Sequence, residues 1–577
     1  MEAPTTAARP QSTIPLSGTA TAPRVFRLLY ALLLILFVAR STVAALGDSV
    51  TIDEFVGLPV GLYTLQAVDF RSESMNPPFF RSFAALPLLM GGPLTPQIPP
   101  MNEVNDWAMG YRFMQDYGAT YHQLFVPARC MVILTTVLLG ALVLQWSTEI
   151  YGYAAGLVSL FLFTFSPTIL AHGHLVTLDV SGAVGWTAVA YLTWRMLDQP
   201  SVSRAILLGL TLGLAPALKL SGLAVPIVTA LLVLVRAVTE PRDVRWYRWL
   251  GLLIFVNLLA LGVLNGLYRF AGFGEAFADI DFDSEKLLRV ARAIPWLRLP
   301  LPKPFLKSLD ALFVGDQPTE PAYYLAGMWS LVGWRYYHLV AFLLKAPLPL
   351  LLSGLFALGG WLLGRSKGAR DYCVFITLIF VFVANALLNP LNIGVRHALP
   401  AFPLLAIGAS PWLAGPIERL LSRSRAAKDL AGAAVSVALL GWFAWSSVSI
   451  APRYLEYFNE LAGGPENGHR WLIDSNLDWG QDLLRLRAYM KAHRLRKVNL
   501  AYFGRVDPRV YDIQFTPLVK GESHGISVVS ASFLMGRPYW IWFAPSDLEW
   551  AHQGAYTWLQ GEKPIARVGS MFVFDLP

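Results

Sequence analysis

The sequence predicts a polytopic α-helical membrane protein with a C-terminal domain outside the bilayer. Of its 577 residues, 55% are hydrophobic and only 15% are charged, which leaves too little polar surface to cover a soluble globule of this size. Long apolar runs recur from Val25 to about residue 450, whereas the last part of the chain contains none. These two observations divide the chain into a membrane domain at 24–450 and an external domain at 451–577.

Eleven apolar runs each approach the roughly 20 residues that a helix needs to cross a bilayer. The first extends from Val25 to Leu46, and its length favours a span over the alternative, a cleaved signal peptide. A helix-weakening "KLSG" at Lys219 divides one long apolar stretch into two spans. The other predicted spans lie near 129–147, 153–169, 180–197, 204–219, 221–238, 249–268, 337–362, 372–388, 398–413 and 429–449.

Charge sets the predicted orientation of these spans. Residues 1–23 are rich in Pro, Thr, Ser and Ala and are predicted to be a disordered cytoplasmic tail. The connections that then fall on the same side, such as "GRSKGARD" and "ERLLSRSRAAK", are rich in Lys and Arg, as is typical of cytoplasmic loops. The large polar segments at 47–128, 271–335 and 451–577 therefore face outward. Because topology accounts for the excess of 46 basic over 38 acidic residues, nucleic acid is not an expected partner.

The external tail has the pattern of a small α/β domain. "GQDLLRLRAYMKAHRLRK" shows a helical apolar repeat, while "KVNLAYFG", "GISVVSAS", "YWIWFAP" and "SMFVFDLP" are typical of short strands.

Ionisable residues recur at the outward ends of the predicted spans, where a helix bundle would bring them together. These candidates are Asp53, Glu54, His172, His174, Asp179, Lys219, Lys345, Arg396 and His397. Each has a structural alternative: the acids cap and open a helix, the lysines snorkel, and the histidines close a loop. Arg396 is harder to explain in this way, because a cation at the head of a helix opposes the helix dipole.

Acids and bases on one membrane face suit a reaction that takes up a proton and expels an anion. Transfer of a sugar from a lipid phosphate has both needs: a carboxylate accepts the proton of the acceptor hydroxyl, and Arg and Lys stabilise the departing phosphate.

Several motifs resemble the bacterial polyprenyl-phosphate-dependent glycosyltransferases of the GT-C class, a group that includes protein O-mannosyltransferases and aminoarabinose transferases of lipid A. These motifs are "TIDEF" at 51–55, "NPPFFRSFAALPLL" at 76–89, "SPTILAHGHLVTLDV" at 166–180, "LKLSGLAVP" at 218–226 and "IGVRHALPAFPLL" at 393–405. The segment 457–486 resembles a C-terminal segment of the same group. The resemblance implies a GT-C-type core of about eleven transmembrane helices with a C-terminal extracytoplasmic α/β domain.

The resemblance also implies roles for individual residues. Asp53 would be the catalytic base or would position the acceptor, with Glu54 beside it and Asp179 as the acid of the second outward loop. The donor phosphate would bind Arg396, His397, Lys219 and Lys345. The substrate would contact Asn76, His172, His174, Asn476 and Trp479. Asn76 stands where many relatives have His, so it has no titrating role. A divalent metal at Asp53, Glu54 and Asp179 is allowed but not required.

Two readings remain open for "DSNLDWGQDLLRL" at 474–486. In the structural one, Asp474 or Ser475 caps an amphipathic helix that has Asp478 in its first turn. In the functional one, Asn476 and Trp479 belong to an acceptor platform above the membrane.

Together with this resemblance, the sequence predicts an inverting glycosyltransferase of the bacterial inner membrane with its active site facing the periplasm. The expected donor is a polyprenyl-phosphate-linked sugar, the acceptor is a glycan, lipid or protein, and membrane lipids surround the spans. The alternatives are a secondary transporter, for which intramembrane charges are equally expected, and a polymerase or ligase of lipid-linked glycans.

Overall fold

The computed structural model describes residues 23–68, 70, 76–90, 105–239, 246–314, 319–365, 367–368, 370–422, 426–544 and 547–577. The predicted cytoplasmic tail, apart from Pro23, lies outside the described residues.

The first half of the chain is helical. Its helices are α1 (Arg24–Gly47), α2 (Ile52–Ala67), α3 (Phe79–Met90), α4 (Asp106–Tyr117), α5 (Tyr121–Tyr151), α6 (Tyr153–Thr164), α7 (Pro167–His172), α8 (Asp179–Asp198), α9 (Val202–Leu218), α10 (Val225–Thr239) and α11 (Trp246–Leu267). The outward segment after α1 is therefore largely helical where it is described. A capping box, in which Thr51 and Glu54 each bind the other's backbone or side chain, begins α2.

The second half of the membrane part contains six further apolar or amphipathic helices and one hairpin, followed by α18. In chain order these are α12 (Glu285–Ala293), α13 (Lys303–Val314), β1 (Tyr323–Leu325), β2 (Met328–Ser330), α14 (Tyr337–Lys345), α15 (Leu348–Leu362), α16 (Tyr372–Leu388), α17 (Ala401–Leu421) and α18 (Ala427–Val448).

The predicted helical membrane part is confirmed, but the predicted number of eleven spans is not. Within the described residues, five helices are long and apolar enough to cross a membrane, or six if α14 and α15, which meet at a bend of 119°, form one span. Several predicted spans form shorter apolar helices, such as α6, α9 and α16. The predicted break at Lys219 is confirmed: α9 ends at Leu218, and Lys219 is extended, with φ −159° and ψ 139°.

The C-terminal part combines short helices with a mixed sheet, as the sequence predicts. Its elements are α19 (Leu483–Ala492), β3 (Val498–Ala501), β4 (Phe515–Pro517), β5 (Gly525–Ser530), α20 (Ala531–Leu534), β6 (Tyr539–Ala544), β7 (Asp547–Ala551), β8 (Ala566–Val568) and β9 (Met571–Leu576). The five-stranded sheet has the order β4-β3-β5-β9-β8, with β3 parallel to both neighbours and β9 antiparallel to both of its own. Strands β6 and β7 form a separate antiparallel hairpin.

Backbone hydrogen bonds join the C-terminal part to the helix ends beneath it. Ser49 N donates to Gln481 O at 2.9 Å, and Ile52 N donates to Trp479 O at 3.1 Å. A single hydrophobic core contains side chains from both parts. The C-terminal part therefore packs against the end of α1 and the start of α2.

Candidate active site

A cavity of about 950 Å³ lies where several helix ends meet under the C-terminal part. Six of the predicted site residues line it: Asp53, Asn76, Asp179, Lys219, Arg396 and His397. Its apolar lining comes mainly from the segment before α10 and from the end of α16. The cavity thus combines a charged end with a hydrophobic side.

Local structure explains why the four charged residues converge. Asp53 is the second residue of α2, Asp179 is the first residue of α8, and Lys219 directly follows α9. Arg396 lies in a short 3-10 helix at Val395–Ala398, just before α17. Each side chain therefore projects from a helix terminus on the side of the bundle that faces the C-terminal part.

The four charges form a chain of alternating sign. Arg396 Nη1 donates to Asp53 Oδ2 at 2.5 Å and lies 3.8 Å from Asp179 Oδ2. Lys219 Nζ donates to Asp179 Oδ1 at 2.6 Å. A Cβ at Gly182 would lie 2.8 Å from Lys219 Cδ, so this glycine leaves the space that the lysine occupies.

The two aspartates differ in access. The Asp179 side chain is 1% exposed and also accepts a hydrogen bond from Thr177 Oγ1 at 2.9 Å, so its oxygens are fully engaged. The Asp53 side chain is 37% exposed. Asp53 is therefore the carboxylate that a ligand in the cavity reaches, and Asp179 holds the two cations in place.

The C-terminal part fixes the orientation of Arg396. Arg396 Nε donates to Ser475 Oγ at 3.0 Å, and the guanidinium lies 4.4 Å from the ring centroid of Trp479. A guanidinium held on one face by an indole and on one edge by a hydroxyl presents its remaining N–H groups in a defined direction.

Glu54 does not share the cavity with Asp53. It is fully buried and accepts hydrogen bonds from Arg129 Nε at 2.8 Å, Arg129 Nη2 at 2.7 Å and Val176 N at 3.0 Å. Asp53, Glu54 and Asp179 therefore do not converge on one site. Across the described ranges, no cluster of three or more His, Cys, Asp or Glu side chains is placed to hold a metal ion.

Five other predicted site residues lie behind the cavity wall. Lys345 Nζ donates to the carbonyl oxygens of Leu455 at 2.8 Å and Asn476 at 2.6 Å. His174 Nε2 lies 2.9 Å from Asp48 Oδ2. His172 is buried edge-on against the ring of Trp479. None of Lys345, His172, His174, Asn476 and Trp479 lines the cavity, so their predicted contacts with substrate stay predictions without a geometric basis.

Neither interpretation of residues 474–486, as a capped helix or as an acceptor platform, agrees with the structure. The helix predicted to begin at Asp474 is wrong: Asp474–Asn476 form one 3-10 turn, and α19 begins at Leu483. Asp474 has φ 57°, which is incompatible with a capping residue in an extended conformation. Trp479 is only 1% exposed, so the segment presents no open aromatic platform.

Some charged residues at the site were not predicted. Arg129 is completely buried inside α5, and besides Glu54 it binds the carbonyl oxygen of Asp48 at 2.7 Å. The sequence signal for Arg129 is an arginine at the start of an apolar run, where a charge is costly unless it is paired. Burial by itself would raise the pKa of the neighbouring Asp48 carboxyl, but Arg485, His174 and Arg129 lower the pKa to about 2. Arg81, Lys286 and Arg335 also line the cavity.

The chain matches no protein-family model and no curated protein. Similar solved structures include ArnT from Cupriavidus metallidurans bound to undecaprenyl phosphate, at 13% identity and a TM-score of 0.42 over 95% of this chain and 97% of that chain. The same protein in the apo state has 14% identity and a TM-score of 0.44 at the same coverage.

A third similar structure is the Archaeoglobus fulgidus oligosaccharyltransferase tethered with an acceptor peptide. It shows 13% identity and a TM-score of 0.43 over 73% of this chain and 54% of that chain. Similarity at this level assigns no activity to this chain, which must be argued from the cavity itself.

Proposed function

We propose that the protein transfers a sugar from a polyprenyl-phosphate donor to an acceptor hydroxyl on the membrane face that carries the C-terminal part. The observation that carries this proposal is the Arg396 guanidinium, which lies beside Asp53 and 3.8 Å from Asp179 in a cavity with one apolar wall. A lipid-linked phosphate needs both a cationic end and an apolar side, and few soluble ligands do.

The apolar wall fits the lipid part of the donor. Leu223, Leu387 and Leu388 line the cavity and are exposed, Leu387 to 67%. The cavity therefore offers an accessible apolar wall. A polyprenyl chain would lie along this wall, with its phosphate at the charged end.

The charged end fits the phosphate. Arg396 offers a planar pair of N–H donors and Lys219 adds a second cation, while His397 borders the same space. An incoming phosphate competes with Asp53 for Arg396, because both are anions that bind the same guanidinium. Binding of the donor would thus free the Asp53 carboxylate at the moment when a base is needed.

The proposed reaction is a single in-line displacement. The acceptor oxygen forms a bond to the anomeric carbon as the bond from that carbon to the phosphate oxygen breaks. Asp53 accepts the acceptor's proton, and the departing polyprenyl phosphate keeps the electron pair, stabilised by Arg396 and Lys219. Displacement from the opposite side inverts the anomeric configuration. No step of this scheme passes through a metal.

The proposal places the site on the periplasmic face of a bacterial inner membrane. The basis is the concentration of Lys and Arg in the connections on the opposite side, such as "GRSKGARD". The acceptor is a glycan, a lipid or a protein at that face.

The decisive experiment compares Asp53→Asn with the wild type for release of free polyprenyl phosphate from a radiolabelled polyprenyl-phosphate sugar. Loss of a general base typically lowers the rate by about 10²- to 10⁴-fold, and we expect donor binding and melting temperature to change little. Asp279→Asn, at an exposed aspartate that does not line the cavity, is the matched control. Turnover of Asp53→Asn near that of the control would remove Asp53 from the chemistry.

The same assay separates the transferase from a transporter. The bent pair α14 and α15 resembles the interrupted helices of transporters. However, Lys345 at the bend binds backbone carbonyls of the C-terminal part and does not line the cavity. A transporter would leave the bond between sugar and phosphate intact.

A further inference from the structure

Three tryptophans with exposed faces lie near one another, and one of them lines the cavity. Trp107, in the first turn of α4, lines the cavity and is 36% exposed. Trp540 on β6 and Trp550 on β7 are cross-strand partners in the hairpin, exposed to 37% and 36%. We call Trp107, Trp540 and Trp550 the aromatic shelf.

Arg505 joins the two halves of the shelf. Its guanidinium carbon lies 4.4 Å from the ring centroid of Trp107 and 5.8 Å from that of Trp540. The guanidinium also donates to the hydroxyls of Tyr111 at 2.9 Å and Tyr539 at 3.0 Å. A residue of the C-terminal part thereby holds a ring of the membrane part and a ring of the hairpin around one buried cation.

The rings are held in place before any ligand arrives. Trp550 Nε1 donates to Glu320 Oε1 at 3.0 Å, which fixes the plane of its ring. Trp540 packs against Trp550 edge to face, with 5.4 Å between ring centroids and 78° between planes. Because these side chains are already ordered, a ligand that binds their free faces loses little affinity to their immobilisation.

The shelf is continuous with the proposed acceptor position. Phe55, two residues after Asp53, stacks on Trp107 with 6.4 Å between ring centroids. Asp53 and Trp107 line the same cavity. A molecule with one hydroxyl at Asp53 and one ring on Trp107 would therefore lie within this cavity.

The charges around the shelf select the chemistry of that molecule. Asp547 and Glu549 are exposed on β7, on the face of the hairpin opposite to Trp540 and Trp550, because side chains alternate along a strand. Glu320 accepts a hydrogen bond from Trp550 Nε1. These carboxylates would be repelled by an anionic lipid surface. They accept hydrogen bonds from hydroxyl groups, and indole faces bind the apolar C–H faces of sugar rings. Exposed indole faces on a hairpin that carries acidic residues are thus better suited to a saccharide than to an anionic membrane surface.

We propose that the aromatic shelf binds the saccharide part of the acceptor, so that the acceptor is a glycan or a glycolipid. The identification of the saccharide as the acceptor rests on the proposed transfer reaction. Binding of a saccharide to the shelf does not depend on any transfer.

The test measures binding directly, by saturation-transfer difference NMR on the full chain in lipid nanodiscs without maltoside detergent. The probes are free cellobiose and chitobiose. In the wild type we expect saturation of the ring C–H protons of at least one disaccharide. We expect Trp540→Ala and Trp107→Ala to lower that saturation at least threefold. Trp296→Ala is the matched control, because Trp296 is 75% exposed and does not line the cavity.

Equal saturation in the wild type and in both shelf variants would overturn the proposal and assign the rings to the bilayer interface or to packing. An equal fall in Trp296→Ala would overturn it as well, because binding to exposed tryptophan would then be unspecific. Should an alanine variant fail to fold, Trp540→Phe replaces it: a smaller ring in the same place is expected to retain part of the signal, and full retention counts against the shelf. Failure of transfer in the Asp53 assay with intact disaccharide binding would refute the proposed function and leave the shelf standing.

Discussion

Asp53 and Glu54 are neighbours in the chain, and both carboxylates pair with an arginine, yet the two pairs differ in almost every physical respect. The Glu54–Arg129 pair is completely buried on both sides. The Asp53–Arg396 pair borders the cavity, with the Asp53 side chain 37% exposed. The Glu54–Arg129 pair is therefore inaccessible from the cavity, whereas the Asp53 carboxylate of the second pair can be reached from it.

The exposure of its carboxylate decides whether an ion pair is available for chemistry. Glu54 has every carboxylate oxygen bonded to Arg129, Thr51 or Val176, so removing any partner leaves a buried charge unsatisfied. The exposed part of Asp53 carries no such penalty, because it borders the open cavity. The pair that contributes least to stability is the one suited to function.

The largest expected effect comes from breaking the closed pair. Arg129→Met leaves Glu54 ionised and unpaired in the interior, and breaking a buried pair in this way typically costs about 3–5 kcal/mol. We expect a sharply lower yield of folded protein and a lower melting temperature. Arg289→Met is the matched control, since Arg289 and Glu285 form an exposed pair on α12, where the expected change is about 0–1 kcal/mol. Similar losses in both variants would contradict the contrast between the pairs.

Replacing Glu54 tests the same contrast between the two pairs from the carboxylate side. From the sequence alone, Glu54→Gln is expected to be milder than Asp53→Asn. The structure separates two measurements: Glu54→Gln is expected to lower the melting temperature more than Asp53→Asn does, whereas Asp53→Asn lowers transfer per folded molecule more. Thermal unfolding and activity of the purified folded fraction, measured in parallel, distinguish the two.

A smaller effect is expected at the open pair. Arg396→Lys keeps the charge but loses the planar donor pair and the stacking on Trp479. Since a hydrogen bond to a charged group contributes about 1.5–3 kcal/mol, we expect the KM for the donor to rise about tenfold or more, with kcat less affected. Unchanged donor affinity in Arg396→Ala would remove Arg396 from the phosphate site.

A pH-dependent effect is expected at a buried carboxylate that, among the described residues, binds Ser532 and Ser570 and no arginine. Asp478 accepts hydrogen bonds from Ser532 N and Ser570 Oγ, and burial raises its pKa to about 7. Because the folded-state pKa exceeds that of the unfolded chain, the stabilising contribution of protonation is complete below about pH 4 and is lost as the pH rises through 7. We expect Asp478→Asn to flatten this part of the curve of melting temperature against pH. A variant curve parallel to the wild type between pH 5 and 8 would contradict this role of Asp478.

Much of the site was predictable because its residues lie at helix ends. The positions of Asp53, Asp179, Lys219 and Arg396 on one face follow from alternating apolar runs and loop charge. The burial of Lys345 and Trp479 was not predictable in the same way, since their partners, the carbonyl of Asn476 and the guanidinium of Arg396, come from distant segments.

The sequence alone is sufficient to predict a helical membrane part followed by an α/β part, and acids and bases on one side of the membrane part. These properties depend on local composition and period, which the order of residues contains directly. Only the tertiary structure decided which of two adjacent acids faces the cavity, because successive residues on a helix point about 100° apart and the buried one is chosen by where Arg129 lies. It also decided that Trp107 and Trp540, far apart in sequence, lie beside one another, because both rings lie near the Arg505 guanidinium.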